Sequence, residues 1–426
     1  MTQANPVQAL DDVHRLLGHP SDLRGHLNAH GPLNVPLGRN GSWQQDLVTS
    51  LEASGLNGRG GSAFPTSIKL ALARSAGRGG SVVVNAMEGE PASDKDTLLL
   101  IRTPHLVLDG AQYLGALCHA ARIVVCIPIG RDPVATAVNQ AILERARNRY
   151  APVREEIVRP PGRFLAGEES ALTNWIESAR PLPVFRPDKG APLRIGGRPA
   201  LVHNAETLAH IALIARHGAG PFRARGMTEE PGTSLVTISG DVKYPGVVEI
   251  DRGTPLWDIA TRSQPVASVQ ALLVGGYGGT WVGPGHFGTP YAPIALRTIG
   301  AAAGAGVIAV LGETSCGLAE SARIARYLAG QGAGQCGPCV YGLPAIADDM
   351  ARLARGEGSG EDIVRLHRRL DQVNGRGACR HPDGAVNLVR SALAIFAGDV
   401  AAHGQGHPCR HWRKPTSLRF PRTVGL

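Results

Sequence analysis

Three cysteines and four glycine-rich or acidic segments of this 426-residue chain have the residue types and spacing of a chemical site. Cys336-Gly-Pro-Cys339, followed after 39 residues by Cys379, offers three thiolates, enough to hold most of an iron-sulfur cluster or a zinc ion. His381, two residues further on, makes a Cys3His zinc set the rival. The stretch 55–69, GLNGRGGSAFPTSIK, places Gly58, Gly60 and Gly61 ahead of a helix start marked by Pro65. Outward-facing amides there attract phosphate, with Arg59 and Lys69 as counter-charges; a plain tight turn is the bland alternative. The stretch 85–96, NAMEGEPASDKD, clusters Glu88 and Glu90 after Asn85. Such carboxylates need donors, which a flavin or nicotinamide ring, ribose hydroxyls or plain water would supply. In 166–172, AGEESAL, Gly167 leads into Glu168 and Glu169, an acidic pair suited to a helix start, and 203–208, HNAETL, is an N-capped helix start at Asn204.

The elements that position these residues follow from periodicity. Short continuous apolar runs at 81–85 (SVVVN) and 122–129 (RIVVCIPI), alternating with helical patterns at 106–121 and 133–149, predict a βαβ unit in a parallel sheet. Ligands in such sheets bind at the carboxyl ends of strands, and the polar cluster after Asn85 begins at one. A short helix is expected near 6–17. Composition shifts after Gly218, where 234–250 reads as two β segments around Lys-Tyr-Pro-Gly, followed by a helix at 255–262 and a strand at 271–274, a small β-grasp-like module. Past Gly312 four helical stripes follow: Leu318, Ala322, Ala325 and Leu328; Leu343, Ile346, Met350 and Leu353; Ile363, Leu366 and Leu370; Val386, Val389 and Leu393. They predict a four-helix bundle whose loops carry the three cysteines.

Composition bounds the rest. The chain holds 55 Gly, 31 Pro, only 19 Phe, Tyr and Trp together, and a formal charge of +9 carried almost wholly by arginine. Seven cysteines are too few and odd in number for a disulfide framework. No apolar run reaches the roughly 18 residues of a membrane span, and the N-terminus lacks a secretion signal, so a cytoplasmic protein is expected, at most peripheral to a membrane complex. Scarce aromatics exclude a base-stacking nucleic-acid platform. Basic residues concentrate only in 406–426, with Arg410, Arg413, Lys414, Arg419 and Arg422, which reads as a solvated or partner-docking arm.

The order of these motifs resembles the family of NADH-binding, FMN-carrying subunits of respiratory complex I, which includes the diaphorase subunits of NAD-linked hydrogenases and formate dehydrogenases. GRGGSAFPTSIK, NAMEGEP with a following Lys-Asp, GEESAL, VHNAETL, a β-grasp module, CGPC and a last cysteine occur in that order over roughly 55–399. The resemblance implies that Gly58, Arg59, Gly60, Gly61 and Lys69 hold the FMN phosphate and ribityl chain, and that Asn85, Glu88 and Glu90 contact the isoalloxazine and nicotinamide. It implies further that Gly167, Glu168 and Glu169 close the pocket, that Asn204 and Thr207 hold the flavin's other side, and that Phe64 stacks on adenine. Cys336, Cys339 and Cys379 would hold a 4Fe-4S cluster. Ala333 stands where the family's first cluster cysteine is expected, leaving Cys316, Cys409, His381 or no residue as the fourth ligand. Leu72 and Lys189 replace aromatics, Met87 an acid, Phe164 a tyrosine and His203 an asparagine. Each lost ring removes about 1–3 kcal/mol of base stacking and weakens NADH binding roughly ten- to hundredfold.

The expected protein is therefore an α/β chain with a Rossmann-like FMN/NADH-binding domain (1–228), a β-grasp, SLBB-like module (229–308), a helical iron-sulfur bundle (309–405) and a basic tail (406–426). It would act as an NADH dehydrogenase subunit, passing electrons from NAD(P)H beside Glu90 through FMN to the cluster, and on to a ferredoxin or thioredoxin-like iron-sulfur subunit. Two rivals stand beside it: a scaffold or ligand-binding subunit that kept the fold and lost the chemistry, and a flavoprotein with structural zinc in place of the cluster.

Overall fold

The computed structural model describes residues 15–18, 20–33, 35, 42–186 and 191–420. Lys189, Arg422 and the start of the helix expected near 6–17 lie outside them. The chain divides into two compact units, one made of Met1–Gly89, Asp94–Val236 and Val247–Thr254, the other of Glu90–Ser93, Thr237–Gly246 and Pro255–Leu426.

In the first unit, β1 (Ser81–Asn85), β2 (Arg122–Cys126), β3 (Glu155–Val158), β4 (Leu193–Ile195) and β5 (Arg198–Asn204) form a sheet of order β3-β2-β1-β5-β4. All pairs are parallel except β4 with β5. Val82, Val84 and Leu201 face one apolar cluster while Val83, Val124 and Val202 face another, so both faces are covered and the strands read as unbroken apolar runs. The expected helices run Pro104–Leu117 and Asp132–Arg147, and β2 stops short of Pro128, which has no amide to continue the ladder. Helices Pro104–Leu117 and Ala205–His217 pack closely. A Cβ at Gly110 would lie 1.9 Å from the Leu208 carbonyl oxygen, so only glycine permits that approach.

One polar knot crosses this interior. Asp109 is fully buried and receives Arg145 Nη1 at 2.7 Å, His26 Nε2 at 2.7 Å and the Arg216 guanidinium. Burial alone would raise its carboxyl, but these partners hold it below the usual carboxylate range.

The second sheet consists of β6 (Thr233–Gly240), β7 (Gly246–Asp251), β8 (Val269–Val274), β9 (Thr280–Val282) and β10 (Val307–Gly312), in the order β7-β6-β10-β8-β9. The two segments expected around Lys-Tyr-Pro-Gly are β6 and β7, and the expected helix is Leu256–Thr261. Strand β10 runs parallel to β6 and antiparallel to β8. Helices Gly317–Gly330, Leu343–Ala354, Gly360–Val373 and His381–Ile395 follow, each containing one of the apolar stripes, and Ala397–Gly404 comes after them. Helix Gly317–Gly330 packs on Leu343–Ala354 and His381–Ile395. Among the described residues, no single helix is long and apolar enough to cross a membrane.

The basic arm differs from its expected solvated or partner-docking state. Over 407–420 it lies against its own unit: Arg323 Nη2 donates to the Lys414 carbonyl at 2.7 Å, Thr416 Oγ1 to Glu320 at 2.6 Å, and the Tyr277 hydroxyl to the Arg419 carbonyl. Leu418 is buried, and the Phe420 ring sits 5.0 Å from that of Tyr277. These two apolar side chains, set among the charges, give the arm something to bury, and its backbone carbonyls satisfy buried donors.

Candidate functional site

The first sheet changes winding direction at β1: β2 and β3 lie on one side, β5 and β4 on the other. The connections leaving β1 and β5 therefore diverge, and open α/β sheets hold ligands at such a point. Asn85 and Asn204 are register partners at those two strand ends.

The glycine loop meets the helix that follows β5. Arg59 N donates to Thr207 Oγ1 at 2.8 Å, and Gly58 N to the Phe64 carbonyl at 2.9 Å. A Cβ on Gly60 would lie 3.2 Å from Asn204 Cβ, while Gly61 has φ +107°, so both positions favour glycine for a stated reason. The amides of Gly60 and Gly61 make no hydrogen bond to another described residue, and Thr66 Oγ1, at the start of helix Thr66–Ser75, is buried and unpartnered. Spare donors beside a glycine-lined approach are what a phosphate needs, so these residues fit one. Phe64, in the same loop, is about two-fifths exposed.

Other expected residues take more specific positions. Asn85 Nδ2 donates to the Gly167 carbonyl at 2.8 Å, tying the GEE turn to the end of β1. Glu168 caps helix Glu169–Ser178, accepting Ser170 N and Ala171 N at 3.0 Å each, while Glu169 pairs with Lys69. Glu88 caps helix Lys95–Arg102: its two oxygens accept Asp96 N at 2.9 Å and Thr97 N at 2.8 Å. That carboxylate is committed to a helix start. Met87 is buried with Ala166 and Leu172, filling apolar space where an acid was expected from the resemblance. His203 is buried at the end of β5, its imidazole held well below its usual pKa by burial and by the Lys69 charge.

Beneath Asn204 lies a charge cluster whose role sequence reasoning missed. Lys95, 3% exposed, donates Nζ to Asp96 and to Glu206 at 2.9 Å each and to Asn204 Oδ1 at 3.3 Å. Asn204 Nδ2 donates to Asp96 Oδ2 at 2.5 Å, and its Oδ1 caps its own helix through Glu206 N at 3.0 Å. Burial would raise Glu206, but the Lys95 ammonium outweighs it and holds the carboxyl at about 2. The only signal in the sequence was a Lys-Asp pair in a chain with five lysines.

In the second unit, Glu90 is 7% exposed; its Oε2 accepts Tyr277 N at 2.9 Å and its Oε1 accepts Ala92 N at 3.2 Å. At Gly276 a Cβ would fall 2.6 Å from Glu90 Oε2, so the backbone there must be glycine. Burial raises the Glu90 carboxyl to about 7 even though both amides favour its charge.

The cysteines separate into two sets. Cys339, buried, has the Cys336 and Cys379 thiols around it and accepts hydrogen bonds from the amides of Ala333 and Gly334; burial pushes its thiol up. Amides aimed at a cysteine sulfur suit an iron-sulfur ligand, so this set fits a cluster through three thiolates. Cys316 lies instead with Cys409 and His403, the three donor atoms within 4.8 Å of one another. His381 Nε2 is bonded to the Leu328 carbonyl at 2.8 Å. The candidate fourth ligands are therefore engaged with other partners.

Residues 51–213 match the family model described as the Nuo51 FMN-binding domain, and 311–403 match the NADH-ubiquinone oxidoreductase-F iron-sulfur binding region. The F subunit of the NADH-quinone oxidoreductase of Mycobacterium bovis is 30% identical over 388 residues, covering 85% of this chain and 86% of the relative. The chain belongs to the family of NADH-quinone oxidoreductase F subunits. A Rhizobium meliloti relative, the second F subunit of that organism's enzyme, is 28% identical over 381 residues, covering 85% and 90%. A chain of an NAD+-reducing NiFe-hydrogenase in the H2-reduced state superposes with a TM-score of 0.81 at 26% identity, covering 96% of this chain and 68% of that one. The match to the F subunits coincides with both sites: the first matched region spans the glycine loop through β5, and the second contains Cys336, Cys339 and Cys379.

Proposed function

We propose that this chain oxidises NADH as the flavin and iron-sulfur subunit of a redox complex. The observation that carries the reading is the convergence of Gly58, Arg59, Gly60, Asn204 and Thr207 at the strand-order reversal, with unused loop amides beside them. Bound FMN would supply hydride acceptance and one-electron release, and a 4Fe-4S cluster would supply an electron relay.

The chain's own residues do the positioning. The glycine loop and helix Thr66–Ser75 would hold the FMN phosphate, with Arg59 and Lys69 supplying positive charge. Asn204, locked on both amide atoms by Lys95 and Asp96, would present a rigid wall to the flavin, and Asn85 would fix the GEE turn through Gly167. Glu88 and Glu168 support the site by capping the helices that frame it. Cys336, Cys339 and Cys379 would hold the cluster. The boundaries 1–228, 229–308, 309–405 and 406–426 describe a Rossmann-like domain, an SLBB-like β-grasp module, a four-helix iron-sulfur bundle and an arm. The electron acceptor would be a ferredoxin or thioredoxin-like iron-sulfur subunit in the cytoplasm or on a membrane complex.

Glu90 would face the hydride donor, carrying its negative charge on Oε1 and Oε2 only above about pH 7. Positive charge develops on nicotinamide as hydride leaves, so flavin reduction by NADH should rise with pH through about 7 and level off. Glu90→Gln keeps the carbonyl acceptor but never ionises. Its rate should be flat across that window and about 10²-fold lower at pH 8, with FMN content unchanged. A retained pH limb, or loss of FMN, would remove Glu90 from this role.

The reading as a whole is tested by flavin, iron and acid-labile sulfide counts on the purified chain. One FMN with iron and sulfide in equal amounts is expected. A chain that takes up no added FMN, or that carries zinc without sulfide at Cys336, Cys339 and Cys379, would overturn it.

A further inference from the structure

Cys316, His403 and Cys409 reach one point of the second unit from three places in the sequence. Cys316 is the residue before helix Gly317–Gly330, its sulfur accepting Ala319 N at 3.4 Å. His403 is fully buried in the last turn of helix Ala397–Gly404. Cys409 begins the docked arm. All three donor atoms lie within 4.8 Å of one another.

The histidine is held as a ligand would be. A carbonyl oxygen only accepts, so the 3.1 Å contact between His403 Nδ1 and the Ala354 carbonyl places the ring proton on Nδ1. Nε2 is then the basic nitrogen, and it accepts the Cys409 amide at 2.9 Å. An imidazole whose far nitrogen donates to a backbone carbonyl has the outer-shell support seen at metal-ligating histidines.

We propose that Cys316, His403 and Cys409 bind one divalent ion of the zinc class, separate from the iron-sulfur set, and that this ion fastens the C-terminal arm to the start of helix Gly317–Gly330. Two thiolates and one imidazole suit zinc, and they leave a fourth position for water or for Asp399, one helical turn before His403. Binding releases one proton from each thiol, so the two thiolates neutralise the ion's charge. Bond lengths of about 2.3 Å to sulfur and about 2.0 Å to nitrogen would bring tetrahedral donor atoms to roughly 3.5–3.8 Å of one another. The observed spread needs a contraction of about an ångström at most, and the ion replaces the Cys409 amide at Nε2. A disulfide between the two cysteines is the competing chemistry, and it would leave His403 without a part.

Metal analysis on the full chain separates these outcomes. One zinc per chain is expected in the wild type and in Cys336→Ser, and almost none in Cys316→Ser or Cys409→Ser, whose iron stays unchanged. Co2+ added to the zinc-stripped wild type should give thiolate-to-cobalt charge-transfer bands together with tetrahedral ligand-field bands, which decides the matter even if a serine variant fails to fold. In the same samples, zinc removal should expose the 407–420 arm to protease. Zinc that persists in both serine variants, a wild type without zinc or cobalt bands, or a native mass two hydrogens short with Cys316 joined to Cys409 would each overturn the proposal.

Discussion

Cys339→Ser is expected to empty the iron-sulfur set while leaving the flavin half intact. Iron and labile sulfide should fall from about four per chain to near zero. Flavin content should be unchanged, flavin reduction by NADH should persist, and electron delivery to a one-electron protein acceptor should drop to background. The reasoning is local. Cys339 is the buried member of its set, has both other thiols around it and collects the amides of Ala333 and Gly334. Serine offers a harder, smaller oxygen to that arrangement. The position of Ala333 adds a second arm to the test: its amide already faces the Cys339 sulfur, so Ala333→Cys places a fourth thiol near the set and should slow iron loss to a chelator. Iron content unaffected by Cys339→Ser would place the metal elsewhere.

Lys95→Met is expected to be among the most destabilising single changes in the first unit. It removes the ammonium between two buried carboxylates and leaves both without it, a loss of about 3–5 kcal/mol. The urea midpoint of the full chain, followed by tryptophan fluorescence and by circular dichroism, measures it. The sign for Glu206 follows from its carboxyl being held at about 2. Its contribution is present above the ordinary glutamate pKa near 4.5 and is lost as the pH falls towards 2, so the gap between wild type and Lys95→Met should narrow in acid. Asn204 loses a partner in the same variant, so FMN affinity should fall along with stability. Pairing Lys95→Met with Glu206→Gln should recover part of the stability, since one uncompensated charge is removed. A midpoint unchanged in Lys95→Met would mean that the cluster is hydrated and contributes little.

Much of this was legible in the sequence because the signals are local. The run SVVVN at 81–85 forms β1 with the expected limits, and each apolar stripe past Gly312 lies in one helix. The glycine loop and the caps at Glu168 and Asn204 announce themselves by residue type. What was hidden depends on distance along the chain. Strand β5, whose pairing with β1 creates the switch point, carries a proline and two polar ends and does not stand out as a buried strand. Lys95 and Glu206 meet across 111 positions, and nothing local distinguishes that lysine from a solvated one. Cys316 looked like a spare ligand for the cluster because the stripe containing Leu318 begins beside it. Only the docking of the arm shows that Cys409 and His403 are its companions.

An anaerobic titration of the purified, FMN-loaded chain with NADH tests the central claim most directly. The account predicts that the flavin absorbance bleaches with stoichiometric NADH and that a paramagnetic reduced cluster then appears, the second signal being absent from Cys339→Ser. A flavin band that stays unbleached under excess NADH while dithionite bleaches it would contradict NADH oxidation by this chain.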